Sequence, residues 1–255
     1  MIAVDVGAET VGAFFDLDGT LLPAPSLEWR FIGYLLERDE ISGGHVGRWL
    51  ARFAGSFWHD LHGATEGNKQ YLCGTSETLV DEWQQSLGRE FHSEDSLAFF
   101  DEALQRIVWH RAQGHRLFIV SGTLAPLARV VAWRLAALIS VEIAVCATEL
   151  EVAPGGARIW NGCIRGEHMS GGAKLYAVRG LAARYGIDLS RSYAYGDSVG
   201  DLQMLKAVGY GVAVNPTRRL ARVAPERGWQ SCAWEKTVGE ISHVAARGLA
   251  SGVAR

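Results

Sequence analysis

The sequence predicts an α/β fold: a Rossmann-like, mostly parallel sheet flanked by helices, with a helical cap domain inserted after the first strand. Three observations predict it. Short apolar runs alternate with longer amphipathic segments. The runs are almost continuously apolar, as strands covered on both faces are. Between about residues 23 and 108 the alternation stops, and helical, aromatic-rich sequence without a strand takes its place.

VGAFFDL (11–17) reads as the first strand. Helical patterns follow in LEWRFIGYLLER (27–38), GGHVGRWLARFAGSFWHDL (43–61) and SETLVDEWQQSLG (76–88). RLFIVSG (116–122) is the next strand, and a helix over 125–138 carries Pro126 in its first turn, where proline is tolerated. VEIAVCATEL (141–150) is a third strand. In EVAPGGARIWNGCIRGE (151–167) glycine clusters flank RIW, which predicts a β-hairpin or flap. A helix over 172–186, the strand SYAYGDS (192–198), a helix over 199–208 and the strand GYGVAV (209–214) complete the alternation. EKTVGEISHVAARGLA (235–250) is expected to be the last helix. The domains expected are an α/β core of residues 1–22 and 109–255 and a cap of residues 23–108. Linkers near Pro23-Ala24-Pro25 and near 108–114 would let the cap open and close.

The 255 residues are 48% hydrophobic, enough for a substantial core. A formal net charge of −3 argues against a nucleic-acid partner. No apolar run has the length of a membrane span, and no basic-then-apolar leader opens the chain. Cys73, Cys146, Cys163 and Cys232 form no Cys-x-x-Cys pair, so they read as reduced thiols of a cytoplasmic protein rather than a zinc site. Oligomeric state, monomer or homodimer, is left open.

The candidate chemistry lies at four successive strand ends. In AFFDLDGTLLP, Asp16 and Asp18 close the first strand, and alternation turns i and i+2 to one side. Two such carboxylates repel unless a cation sits between them, and Mg²⁺ is the natural choice. Other readings are a plain acidic turn or a calcium loop, although further downstream acidic ligands are missing. Ser121 and Gly122 end the second strand ahead of a helix, a ready phosphate cradle or an ordinary cap. Lys174 opens a helix after Gly171-Gly172 and either contacts a phosphoryl group or is a solvated charge. The Walker A spacing is absent. Gly196-Asp197 ends a further strand, and Asp201 follows where it can orient Asp197. Convergence of these four elements on one sheet edge favours an active site.

Those motifs, DLDGTLL, FIVSGT, Lys174 and YGDSVGDLQML, resemble in order the four motifs of the haloacid dehalogenase superfamily, in its phosphoserine-phosphatase-like branch. The helical insert resembles that branch's cap. The resemblance implies a Mg²⁺-dependent phosphomonoester hydrolase acting on a small phosphorylated metabolite. Asp16 would be the nucleophile, and Asp18 the general acid and base. Ser121, Gly122 and Lys174 would bind phosphate. The metal would be held by Asp16 and Asp197 with the Asp18 carbonyl, and Asp201 would stand behind them. Phosphoserine phosphatases of this branch carry a glutamate soon after the first motif that recognises the substrate amine; Pro25 stands near that place here, and Glu28 follows. Glu28, Arg30 and Arg48 are the expected substrate contacts from the cap. Alternatives are phosphoserine, histidinol-phosphate or lysophospholipid phosphatase specifically, a phosphotransferase, and a non-catalytic binding protein on this fold.

Overall fold

The computed structural model describes residues 10–41, 44, 69–89, 97–155 and 157–235. Six strands form one parallel sheet: β1 (Gly12–Phe15), β2 (Arg116–Leu124), β3 (Ile143–Thr148), β6 (Tyr193–Gly196), β7 (Tyr210–Val214) and β8 (Gln230–Cys232), in the order β3-β2-β1-β6-β7-β8. The chain leaves β1, builds outward to β3, and then crosses back to β6. The strand order therefore reverses between β1 and β6, and the crevice beyond their carboxyl ends is where open α/β sheets bind ligands.

Strand alternation divides the core between the two faces. Ala13, Phe15 and Ile119 point to the face covered by α1 (Leu27–Glu37), α2 (Thr78–Arg89), α3 (Asp101–Ala112) and α4 (Ala125–Ile139). Phe14, Phe118, Val120 and Ala194 point to the other face. There they meet Val178 and Ala182 of α5 (Gly172–Tyr185), Met204 and Leu205 of α6 (Leu202–Lys206), and Leu220 and Ala224 of α7 (Arg218–Glu226). Phe14 and Phe118 stack at 5.0 Å between ring centroids across neighbouring strands. Each fully buried side chain of this kind contributes roughly 1.5–3 kcal/mol.

The cap helices α1 and α2 join through Phe31 and Trp83, both buried, at 5.4 Å. Phe31 and Trp83 thus belong to packing, whereas Trp29 is exposed. The helix expected over 43–61 lies outside the described residues apart from Gly44, and the last expected helix does so beyond Glu235. The expected flap is an antiparallel hairpin of β4 (Leu150–Val152) and β5 (Trp160–Ile164). It is stitched to the cap segment: Gly74 N–H donates to Trp160 O at 2.9 Å, and Trp160 N–H to Thr75 O at 3.0 Å.

Three expectations differ from the structure. The strand read over 141–150 is two strands, β3 and β4, parted at Glu149. Residues 108–112 are not a linker but the last turns of α3, where buried His110 bonds Tyr195 of the central sheet at 2.8 Å. The polar Gln113-Gly114 turn after them gave the misleading signal. Finally, α7 and β8 occupy a stretch in which sequence alone suggested no element. Pro225 inside the last turn of α7 disguised that helix, and β8 is a three-residue edge strand.

Candidate active site

Asp16 follows directly on β1. Its N–H continues the ladder by donating to Tyr195 O of β6 at 2.9 Å, which fixes its carboxylate at the reversal point of the sheet. The residue is 6% exposed. Lys174, in the first turn of α5 and 3% exposed, reaches it from across the crevice. Lys174 Nζ donates to Asp16 Oδ1 at 2.6 Å and to Asp201 Oδ1 at 2.5 Å. Gly171, at φ 52, supplies the left-handed turn that opens α5.

Asp201 is buried and fully engaged. Its Oδ2 accepts from Asp197 N at 3.2 Å, Ser198 N at 3.0 Å and Ser198 Oγ at 3.1 Å, closing a capping box around the short turn 199–201. Asp197 lies just outside β6. The turn after β1 reaches it because Gly19 takes φ 80; a Cβ there would lie 2.6 Å from Asp197 Oδ2. Carboxylate oxygens of Asp16, Asp197 and Asp201 all fall within 4.8 Å of one another.

Three carboxylates therefore share one ammonium. Burial, then the Asp201 charge, pushes the Asp16 carboxyl up, against the opposing pull of Lys174. Burial, then Asp16 and Asp201, pushes Asp197 up to about 8. Burial pulls the Lys174 ammonium down, but the Asp16 and Asp201 carboxylates more than offset it and hold it up. This donor set fits a hard divalent cation. Its oxygens are anionic and in excess of the available positive charge, and the Lys174 ammonium is already shared between Asp16 and Asp201. The carboxylates able to hold the ion are those of Asp16 and Asp197, because both Asp201 oxygens are occupied.

Asp18 takes different partners. Its Oδ1 accepts from Leu27 N at 2.7 Å, and its Oδ2 from Thr123 Oγ1 at 2.5 Å. It thereby ties the start of α1 to the end of β2. The β1–β2 register pairs Phe15 with Ile119, which brings Ser121 and Gly122 beside the Asp16–Asp18 turn. Ser121 is 2% exposed, and its Oγ accepts from Thr123 N at 3.2 Å. In the sequence Thr123 stands at the same strand end as Ser121 and Gly122 and reads there as a possible helix cap; its bond to Asp18 carries no local signal.

Glu28 does not face a free space: Lys69 Nζ lies 2.7 Å from both its oxygens, and the Tyr71 hydroxyl also bonds it. Arg30 donates to Pro23 O at 2.7 Å and to Pro25 O at 2.9 Å, strapping the segment that leads into α1. Arg30 also lies near enough to Asp18 for their charges to interact. Arg48 lies outside the described residues. Lys69 was missed because its partner is 41 residues away.

Comparison with known proteins agrees with this geometry. The haloacid dehalogenase-like hydrolase family matches residues 13–206. Phosphoserine phosphatase SerB1 of Mycobacterium tuberculosis is 31% identical over 229 residues, covering 87% of this chain and 70% of that protein. A protein of unknown function from Bordetella pertussis Tohama I superposes with a TM-score of 0.69 at 25% identity, covering 88% of this chain and 98% of that one. An apo phosphoserine phosphatase structure shares the fold, with a TM-score of 0.57 at 17% identity over 90% of this chain and 96% of the other. Among the described residues no helix is long and apolar enough to cross a membrane. The chain belongs to the haloacid dehalogenase-like hydrolase family, in its phosphoserine-phosphatase-like branch, and is an enzyme of the phosphatase class.

Proposed function

We propose that this enzyme hydrolyses the phosphomonoester of a small metabolite, with Mg²⁺ as cofactor and Asp16 as the covalent nucleophile. The observation that carries this reading is the charge imbalance at the sheet reversal point, where three buried or half-buried carboxylates meet one lysine. Asp16 and Asp197, with the Asp18 backbone carbonyl, would hold the ion. When bound it neutralises the excess charge and polarises the phosphoryl oxygens.

Asp16 attacks phosphorus; the bond to the leaving alcohol oxygen breaks as the bond to the Asp16 carboxylate forms. Lys174 keeps Asp16 aimed and neutralises charge on the phosphoryl oxygens, together with the Ser121 hydroxyl and Gly122 N–H. Asp18 gives its proton to the departing alcohol. It then takes one from the water that releases phosphate and restores Asp16. The Thr123 and Leu27 bonds hold Asp18 in position for both steps.

The pairing of Glu28 with Lys69 and Tyr71 does not support recognition of a substrate amine by Glu28. Phosphoserine is therefore one candidate beside histidinol phosphate and lysophosphatidate. No disulfide joins Cys73, Cys146, Cys163 or Cys232, as in the reducing setting proposed for this enzyme. The test is phosphate release from a panel of phosphomonoesters with and without Mg²⁺. Wild type should turn over at least one with kcat/KM above about 10⁴ M⁻¹s⁻¹, and Asp16→Asn should lower it at least about 10³-fold. Full activity in Asp16→Asn, or in metal-free enzyme, would overturn the reading.

A further inference from the structure

Thr148, the last residue of β3, is completely buried. Its Oγ1 lies 2.7 Å from Gly122 O, 3.1 Å from Met169 N and 3.2 Å from His168 Nδ1. A hydroxyl has one proton and two lone pairs. The Gly122 carbonyl can only accept, so it takes the Thr148 proton. The Met169 N–H can only donate, so it fills one lone pair. Nδ1 of His168 must therefore carry a hydrogen and donate to the other. This fixes the tautomer: in the neutral ring the lone pair is on Nε2.

The opposite edge of the same ring rests on Gly122. A Cβ added there would meet His168 Cε1 and Nε2 at 3.1 Å each, so the imidazole approaches a place that a side chain would crowd. The same Cβ would lie 3.6 Å from Met169 O, and Met169 packs against the cluster of Phe118 and Val120, which places Gly122 on their sheet face. That is the face covered by α5, whose first turn carries Lys174. His168 sits in the loop that enters α5 and is half-buried. Thr148 thus clamps two things together, the Gly122 peptide and the ring, at the strand end beside Asp16.

We propose that His168 is a further phosphoryl-binding residue of this site, its Nε2–H donating to an oxygen of the anion held by Gly122 and Lys174. The proposal rests on the phosphatase reading above. An imidazolium there adds a second cation beside Lys174 on the substrate side, where the oxygens carry two charges. It is invisible in the motif pattern because Thr148 and His168 are joined to Gly122 only through the fold.

Two substitutions separate the ring's two ends. Asn places an amide where Nδ1 was and keeps the Thr148 contact; Gln places one where Nε2 was. Inorganic phosphate inhibition and p-nitrophenyl phosphate kinetics are measured with Mg²⁺, with calorimetric phosphate binding in parallel. His168→Asn should raise the phosphate Ki and KM about tenfold, as loss of one hydrogen bond to a charged group does. His168→Gln should stay within about threefold of wild type, and kcat should move less than KM in both. In the wild type, the His168 Nε2 resonance, assigned by its loss in His168→Gln, should move from the unprotonated to the protonated ¹⁵N position when phosphate is added. Equal losses in both variants, unchanged Ki in both, or an unmoved Nε2 resonance in phosphate-saturated wild type would overturn this role while leaving the phosphatase reading intact. Wild type that neither binds nor hydrolyses phosphate compounds with Mg²⁺ would overturn both.

Discussion

Two lysines in this molecule are buried to nearly the same degree, Lys174 at 3% exposure and Lys69 at 5%, and both pair with carboxylates. Their surroundings differ in balance. Among the described residues Lys69 meets one carboxylate, Glu28, which a tyrosine hydroxyl also bonds. Charge there is matched, and the group holds the beginning of α1 to the segment before α2. Lys174 meets Asp16 and Asp201, with Asp197 close by, so negative charge is left over. Buried charge in excess is costly, and it persists where a ligand or ion completes it. Both lysines are buried; only the unbalanced cluster has capacity left for chemistry.

The comparison is broken most directly at Lys174. Lys174→Met should lower kcat/KM by at least about 10³-fold and reduce stability by about 3–5 kcal/mol, because it strands buried carboxylates; steady-state kinetics and urea unfolding read both. Lys69→Met should also destabilise, by about 3 kcal/mol, but leave kcat for a small aryl phosphate within a factor of a few. The double variant Glu28→Leu/Lys69→Met should recover most of that stability, since a balanced pair can be replaced by apolar groups at little cost. If Lys69→Met lost as much kcat as Lys174→Met while still folded, the distinction between the two clusters would fail.

The excess charge can be tested without substrate. Mg²⁺ should raise the thermal midpoint of the wild type, by the linkage between binding and folding. Asp197→Asn should lose that response and, in metal-free buffer, should be more stable than wild type by about 1 kcal/mol, because it relieves like-charge repulsion. Calorimetry with and without chelator decides it.

A third buried cluster sharpens the contrast by carrying no charge. His110 is fully buried, with Nε2 2.8 Å from Tyr195 Oη and Nδ1 2.8 Å from His115 Nδ1. Burial, then His115 and Arg106, holds it down to about 3, against about 6.5 in the unfolded chain. The unfolded state therefore binds a proton that the folded state refuses. The stability conferred by neutral His110 is complete above about pH 6.5 and is lost progressively as pH falls from there toward 3. Between pH 7 and 5.5 the loss should be about 1 kcal/mol, seen as a lower urea midpoint, and His110→Gln should flatten it.

Much of this was legible in the chain itself. The apolar runs around Phe14, Phe118 and Ala194 announced a sheet buried on both faces, because period and polarity are local properties. Chemistry-bearing residues at strand ends were legible for the same reason: Asp16, Ser121 and Asp197 each follow an apolar run, and Lys174 follows a pair of glycines. The α7–β8 segment was not legible, since a helix ending in proline and a three-residue strand give no sustained pattern.

By itself, then, the sequence determined the alternation of elements and the residue types brought to one sheet edge. The tertiary structure alone decided which of them touch. It joined Lys174 to Asp16 across 158 positions and Thr123 to Asp18 across 105. It turned Glu28 toward Lys69 and Arg30 toward the Pro23 and Pro25 carbonyls, and laid His168 over Gly122. Local patterns report which face of an element is apolar. Partners of buried charges are chosen by the packing of distant elements, where desolvation makes each unmatched charge costly.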